Sequence, residues 1–291
     1  MVFENLTPTE REIAERLPKP PARVQVQVTN IWIVEWLFDD DRQTGRELHA
    51  WANERRSGWA AHISCRSKAE VLAAIAKAAE RAAESPLVPV LHLEAHGATN
   101  AEGLVGPDGA GGRELLRWDE LIDPLQNLNA ATRCNLVLVA AACTSISGLK
   151  AFTRGPRAPA LALVGTCEPI ADGRLLEAMK EFYRCLIGGR RSLDEMVDSA
   201  SRESAPVALV VQPFMELAYE SLVEALFFAA RPIAARPLHL ATEQLLTKGP
   251  AVQGDWDFMF MADRDPANAD RFGLDVGALL RVLVTALLET H

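Results

Sequence analysis

The chain has 291 residues, 49% of them apolar and 24% charged, and carries a formal net charge of −9. This is the balance of a globular fold, with length for one large α/β domain plus additions or for two smaller domains. The acidic surplus argues against nonspecific binding to nucleic acid or to an anionic membrane. No apolar run reaches the roughly 18 residues of a membrane span, and the polar, acidic Met1–Arg11 lacks the basic-then-apolar pattern of a signal peptide. Five scattered cysteines, Cys65, Cys134, Cys143, Cys167 and Cys185, include no C-x-x-C pair. They read as reduced thiols of a cytoplasmic protein rather than a disulfide framework or a structural zinc site.

In chain order, Glu10 to Leu17 is expected as a short helix, ended by the stiff Pro18-Lys19-Pro20-Pro21. Val24 to Phe38, rich in Val and Ile, predicts a long strand or a hairpin-like pair. A helix over Gln43 to Arg55, a strand over Ala60 to Cys65 and a helix over Lys68 to Ala83 follow, the last with Val71, Leu72, Ile75 and Ala78 at helical spacing. Leu87 to Ala95 is an apolar strand. Asn100 to Gly112 carries five glycines without periodicity and reads as a loop. Trp118, Leu121, Ile122, Leu125 and Leu128 keep a helical repeat, and a second apolar strand runs from about Cys134 to Ala142. Pro159 to Thr166 is a further strand, Leu175 to Ile187 a helix stopped by Gly188-Gly189, and Ala205 to Val211 a sixth strand.

Strands and helices thus alternate from Val24 to Val211, the pattern of a mostly parallel six-stranded sheet covered on both faces. The division expected is an N-terminal helix and Pro-rich linker over 1–22, an α/β domain over 23–212, and a helical C-terminal region over 213–291 packed on it. In that last region Leu217 to Ala230 and Val276 to Leu288 read as helices, with the aromatic run Trp256 to Met261 between them.

Two apolar strands end in chemically active residues. The first closes on Glu94-Ala95-His96-Gly97, the second on Ala140-Ala141-Ala142-Cys143-Thr144. Ligands of parallel sheets bind outside the carboxyl ends of the strands, where both His96 and Cys143 fall. Side by side, they would make a cysteine nucleophile with a histidine acid-base group. The backbone N–H groups of Gly97 and Cys143 are the candidates for an oxyanion hole, and a side chain at position 97 would crowd the substrate carbonyl.

An apolar run ending in His-Gly followed by an apolar run ending in Ala-Cys resembles the caspase-like cysteine peptidases. Their base precedes the nucleophile by about 50 residues; here the step from 96 to 143 is 47. The resemblance spans Val24 to about Val211 and implies a three-layer α-β-α sandwich and a cysteine endopeptidase without cofactor or metal. Among such proteins the motifs look most like bacterial defence-associated members, including those that activate gasdermin-like pore formers. It further implies a protein substrate, and an activator docking on the C-terminal helices. The Gln-Ala-Cys of caspases is here Ala141-Ala142-Cys143, so the glutamine that helps bind an aspartate side chain is replaced by Ala141. Glu168 and Asp172, after the next strand, are candidates to line the specificity pocket. They would favour a basic side chain, with an apolar one left open.

Other readings stand beside this one. A lone cysteine at a strand end is commonly a packing thiol. His92, Glu94 and His96 share one strand face, which invites a metal-dependent hydrolase, but the rise along a strand separates the two histidines too far for one ion. His92 then reads as core, and Glu94 as an orienting or a structural carboxylate. A catalytically silent scaffold keeping the same fold is the remaining alternative. Asp39-Asp40-Asp41 reads as a solvated turn, with a calcium site open.

Overall fold

The structure is a computed structural model that describes residues 6–16, 26, 28–84, 89–133, 135–152, 158–190, 192–203 and 209–213. The chain divides into two compact units, Arg23–Phe214 and a second made of Met1–Ala22 with Met215–His291. Of the second unit only residues 6–16 are described. They contain helix α1 (Pro8–Arg16), with Ile13 and Ala14 buried. The helices and the aromatic run expected beyond residue 213 lie outside the described residues.

The larger unit is α/β: a mostly parallel sheet with helices on both faces, a three-layer sandwich. Its strands are β1 (Asn30–Trp36), β2 (Ala60–Ser64), β3 (Pro89–Gly97), β4 (Gly103–Pro107), β5 (Arg113–Arg117), β6 (Val137–Ala141), β7 (Ala162–Thr166) and β8 (Leu209–Pro213). The main path runs β2-β1-β3-β6-β7-β8. Every neighbouring pair on it is parallel except β7 with β8. Strands β1, β3, β6 and β7 are buried almost end to end, as two-sided coverage requires. Pro89 stands first in β3, a place where the missing N–H removes little from the ladder.

The helices are α2 (Thr44–Arg55), α3 (Lys68–Glu84), α4 (Ile122–Ala131), the single turn α5 (Leu149–Phe152), α6 (Asp172–Ile187) and α7 (Leu193–Glu203). α3 packs with α4, while α6 packs with both α2 and α7. α6 buries Leu175, Met179, Phe182 and Leu186, a stripe at 3.6-residue spacing. Each of these side chains contributes about 1.5–3 kcal/mol by leaving water. No side chain at position 43 caps α2. Instead Glu35 in β1, fully enclosed, accepts the first-turn N–H groups of Gly45 and Arg46 at 2.7 and 3.1 Å. Its other oxygen meets His62 Nε2 at 2.9 Å. Burial pulls the Glu35 pKa up, but His62 and the two N–H groups outweigh it, and the net position is below the usual carboxylate value.

Two expectations need correction. The glycine-rich stretch 100–112 is not simply a loop. Gly103 and Gly106 lie within β4, which pairs antiparallel with both β3 and β5, adding a hairpin to the six-stranded path. Gly106 is needed there because a Cβ would strike the indole of Trp36, whose Nε1 donates to Pro107 O at 2.9 Å. Within the span Val24 to Phe38, expected as a long strand or a hairpin-like pair, the described residues hold β1, Asn30–Trp36, and α7 has no counterpart in the expected element list.

Candidate active site

β3 is the organising strand. Residues 90–94 pair in parallel with 137–141 of β6, ending at Glu94 opposite Ala141. Two residues further along each strand come His96 and Cys143. β6 does not continue as a ladder that far. Ala142 N bonds back to Ala140 O at 3.0 Å, and Thr144 adopts a left-handed backbone with φ 54°. That conformation is costly for a β-branched residue. The turn is held from below: Ser145 Oγ, fully buried, donates to Ala140 O at 2.7 Å and accepts from Thr166 N at 3.1 Å, while Thr166 Oγ1 donates to Ala142 O at 2.7 Å. Thr144 Oγ1 donates to Cys143 O at 2.7 Å. A strained turn braced by buried hydroxyls is the local architecture that lifts a side chain off the end of a strand.

The turn lies directly against the His-Gly end of β3. A Cβ built on Gly97 would collide with the carbonyl of Cys143 and approach the Cys143 Cβ to 3.2 Å. The glycine is therefore required for the two chain segments to touch. In the ladder with β4, Ala98 N donates to Gly103 O at 2.9 Å, so Ala98 and Gly103 form a hydrogen-bonded pair and Gly97, opposite Leu104, a non-hydrogen-bonded one. The Gly97 N–H accordingly points away from β4. The loops after β3 and β6 are also tied together: Ala101 O accepts from Ser147 Oγ at 2.7 Å and from the Trp118 indole at 3.0 Å.

The His96 ring is 44% exposed. Its Nε2 meets Asp41 Oδ2 at 2.7 Å. Among the described residues this is its one hydrogen-bond partner. With the carboxylate ionised, Nε2 carries the proton and donates, which leaves Nδ1 with a lone pair. Asp41 follows β1 and is itself fixed: the same Oδ2 accepts from Phe38 N at 2.8 Å, and Gln43 Nε2 donates to the carbonyls of Phe38 and Asp41. The Phe38 ring lies 5.9 Å from the imidazole, tilted by 32°.

Cys143 is half-buried. Its thiol points to Ile170 O, 3.9 Å away in the segment between β7 and α6. Two other thiols, Cys65 and Cys167, are shifted upward. Burial, with Glu70 nearby, pushes Cys65 up to about 12, and burial with Glu168 beside it raises Cys167.

Of the expected pocket residues, Ala141 is 1% exposed, beneath the rim. Glu168 and Asp172 are both exposed, and Asp172 opens α6 within electrostatic reach of Arg42. His92 does not face the rim. It is fully enclosed, with Nε2 on Glu94 Oε2 at 2.8 Å and Nδ1 on Tyr183 OH at 2.9 Å. Burial, and then Glu94, hold the Tyr183 phenol well above its ordinary pKa, so it stays neutral and donates to Nδ1. Glu94 Oε1 accepts from Thr44 Oγ1 at 2.7 Å. Neither ring nitrogen of His92 is left for a metal, and no cluster of three or more His, Cys, Asp or Glu suited to an ion occurs among the described residues.

The sequence reading took Asp41 for part of a solvated turn, not for a partner of His96. The only signal was an acidic run at the end of a strand, and its weight depends on β1 lying next to β3, which periodicity does not reveal. Compared with known proteins, the chain matches no family model and no curated protein.

Proposed function

We propose that the protein is a cysteine endopeptidase of caspase-like type in which Cys143, His96 and Asp41 act together. The observation that carries this reading is the contact of Gly97 with the Cys143 backbone, beside an imidazole whose far nitrogen is held by a carboxylate. Nδ1 of His96 takes the thiol proton as the Cys143 sulfur attacks the scissile carbonyl. The carbonyl π electrons move to oxygen, and the oxyanion is met by the N–H groups of Gly97 and Cys143. Collapse expels the amine, which takes the proton from the imidazolium and leaves a thioester. Water then attacks the thioester with His96 again as base, releasing the acid and the thiol. Asp41 fixes the tautomer and stabilises the imidazolium without itself taking the proton. Catalytic hydrogen bonds commonly tighten only when substrate is bound, so the thiol's turn toward Ile170 O is compatible with this cycle.

The substrate in this proposal is a partner protein in the cytoplasm, with a gasdermin-like pore former the candidate the resemblance implies, and the setting is bacterial defence. No helix among the described residues is long and apolar enough to cross a membrane. The test is cleavage of a randomised peptide library and of candidate partners by the full chain. Cys143→Ala should abolish cleavage, and His96→Ala should lower kcat/KM by about 10³-fold, with thermal midpoints unchanged. Any cleavage by Cys143→Ala, or wild-type rates from His96→Ala, removes the mechanism. A silent scaffold draws support from the thiol's bond to Ile170 O, and would be favoured if Cys143 never labelled with thiol-reactive probes even with partners present.

A further inference from the structure

The hairpin β4–β5 extends the sheet beyond the His-Gly end of β3, and its register determines what stands beside the imidazole. His96 is opposite Val105, and Val105 is opposite Leu115. Directly opposed residues in antiparallel strands share a face, so these three side chains form one row across β3, β4 and β5. Arg113 and Arg117 lie two positions to either side of Leu115 and occupy the same face. An open cleft of about 470 Å³ lies on the hairpin, lined by Ala98, Val105, Arg113 and Leu115 and also by Glu102 and Glu114.

The charges along the cleft are unequally spent. Arg117 donates to Glu102 at 3.1 Å. Glu114 accepts the backbone N–H of Lys68 at 2.9 Å. At the hairpin tip Asp108 is engaged by the N–H groups of Ala110 and Gly112, both at 2.8 Å, which also lower its pKa. Arg113 is exposed and pairs with no carboxylate among the described residues. Its guanidinium lies 5.4 Å over the ring of Phe38, the ring that neighbours His96. The two ring steps bound the distance from imidazole to guanidinium at roughly 11 Å, about three residues of extended peptide.

We infer that this cleft holds the half of the substrate that leaves as the amine, and that Arg113 selects an acidic side chain there, within the first three or so residues after the scissile bond. The inference rests on the peptidase reading. The imidazole must pass its proton to the departing nitrogen, so the leaving half lies on the imidazole side of the sulfur. On that side lies the cleft. Its unpaired cation is already oriented by the Phe38 face, and a planar guanidinium matches a carboxylate in two bonds.

The experiment is digestion of a randomised synthetic peptide library by the full chain, with the new N-termini sequenced by mass spectrometry. Wild-type protein should enrich Asp and Glu about fivefold within the first three product residues, and the enrichment should shrink as salt is raised. Arg113→Ala should erase it, Arg113→Lys should retain only part of it, and Arg113→Glu should replace it with Lys and Arg. Cleavage at comparable rates with no acidic enrichment, or with enrichment untouched in Arg113→Ala, overturns the inference while leaving the peptidase standing. No new termini from wild-type protein, relative to a Cys143→Ala control, overturns the peptidase reading and this inference with it. Arg113 is exposed on an edge strand, and unchanged thermal midpoints of the three variants would exclude misfolding as the cause.

Discussion

Two histidine–carboxylate pairs stand four residues apart on one strand and have opposite fates. His92 with Glu94 is enclosed in the sheet's helical cover. Both ring nitrogens are bonded, one to Glu94 and one to Tyr183, and the second carboxylate oxygen is taken by Thr44. His96 with Asp41 is on the rim, with one nitrogen bonded and one left over. The inner pair is a closed circuit that fixes packing; the outer pair is the same chemistry with a terminal open. Possession of an imidazole and a carboxylate does not distinguish a reactive histidine from a structural one. The distinguishing fact is how many of its hydrogen-bonding positions the fold has already used.

Breaking the inner circuit should have the largest effect. Glu94→Ala leaves a buried His92 and the Thr44 hydroxyl without their acceptor, and should cost about 3–5 kcal/mol of stability, read as a large fall in the thermal midpoint. Activity per folded molecule should fall far less. If Glu94→Ala lost activity with its stability intact, the separation of the two pairs would be false. Opening the outer pair further should give the converse. Asp41→Asn should lower kcat/KM by about 10²-fold, with a thermal midpoint within a degree or two of wild type. The distinction fails if Asp41→Asn is as unstable as Glu94→Ala.

A third pair, His62 with Glu35, lies between these extremes and sharpens the comparison. The Glu35 carboxyl is held below its ordinary pKa in the fold, so its contribution is present above the unfolded-state pKa and is lost as pH falls through the folded value. Glu35→Gln should therefore destabilise by about 1–2 kcal/mol at neutral pH, and the gap to wild type should close below about pH 4. Urea midpoints across pH 3–7 measure this. A gap that widened toward acid would reverse the assignment.

The alternation of apolar strands with periodic helices was enough to reach the sandwich and the carboxyl-end placement of His96, Gly97 and Cys143. Both depend on local signals: burial on two faces leaves a continuous apolar run, and a change of period marks each helix. What escaped was decided by neighbours far apart in the chain. Asp41 gains meaning only from the β1–β3 pairing, and Glu94 only from Tyr183 and Thr44, 89 and 50 residues away in the numbering. The β4–β5 hairpin was hidden for a different reason. Its glycines are there to admit Trp36 and the β5 backbone, and glycine in a strand removes the very side-chain alternation by which strands are recognised.

β3 belongs to two ladders at once, parallel to β1 and β6 over its first two thirds and antiparallel to β4 at its tip. There is no break between the two portions, since pairing passes from Glu94, held by β1 and β6, through Ala95, held by β1, to His96, held by β4. A tug on the hairpin is therefore transmitted to the imidazole through covalent backbone and shared strand bonds, as a lever bolted to its fulcrum rather than a flap hung on a loop. Crosslinks or antibodies that grip β5 should thus change turnover without ever reaching the sulfur.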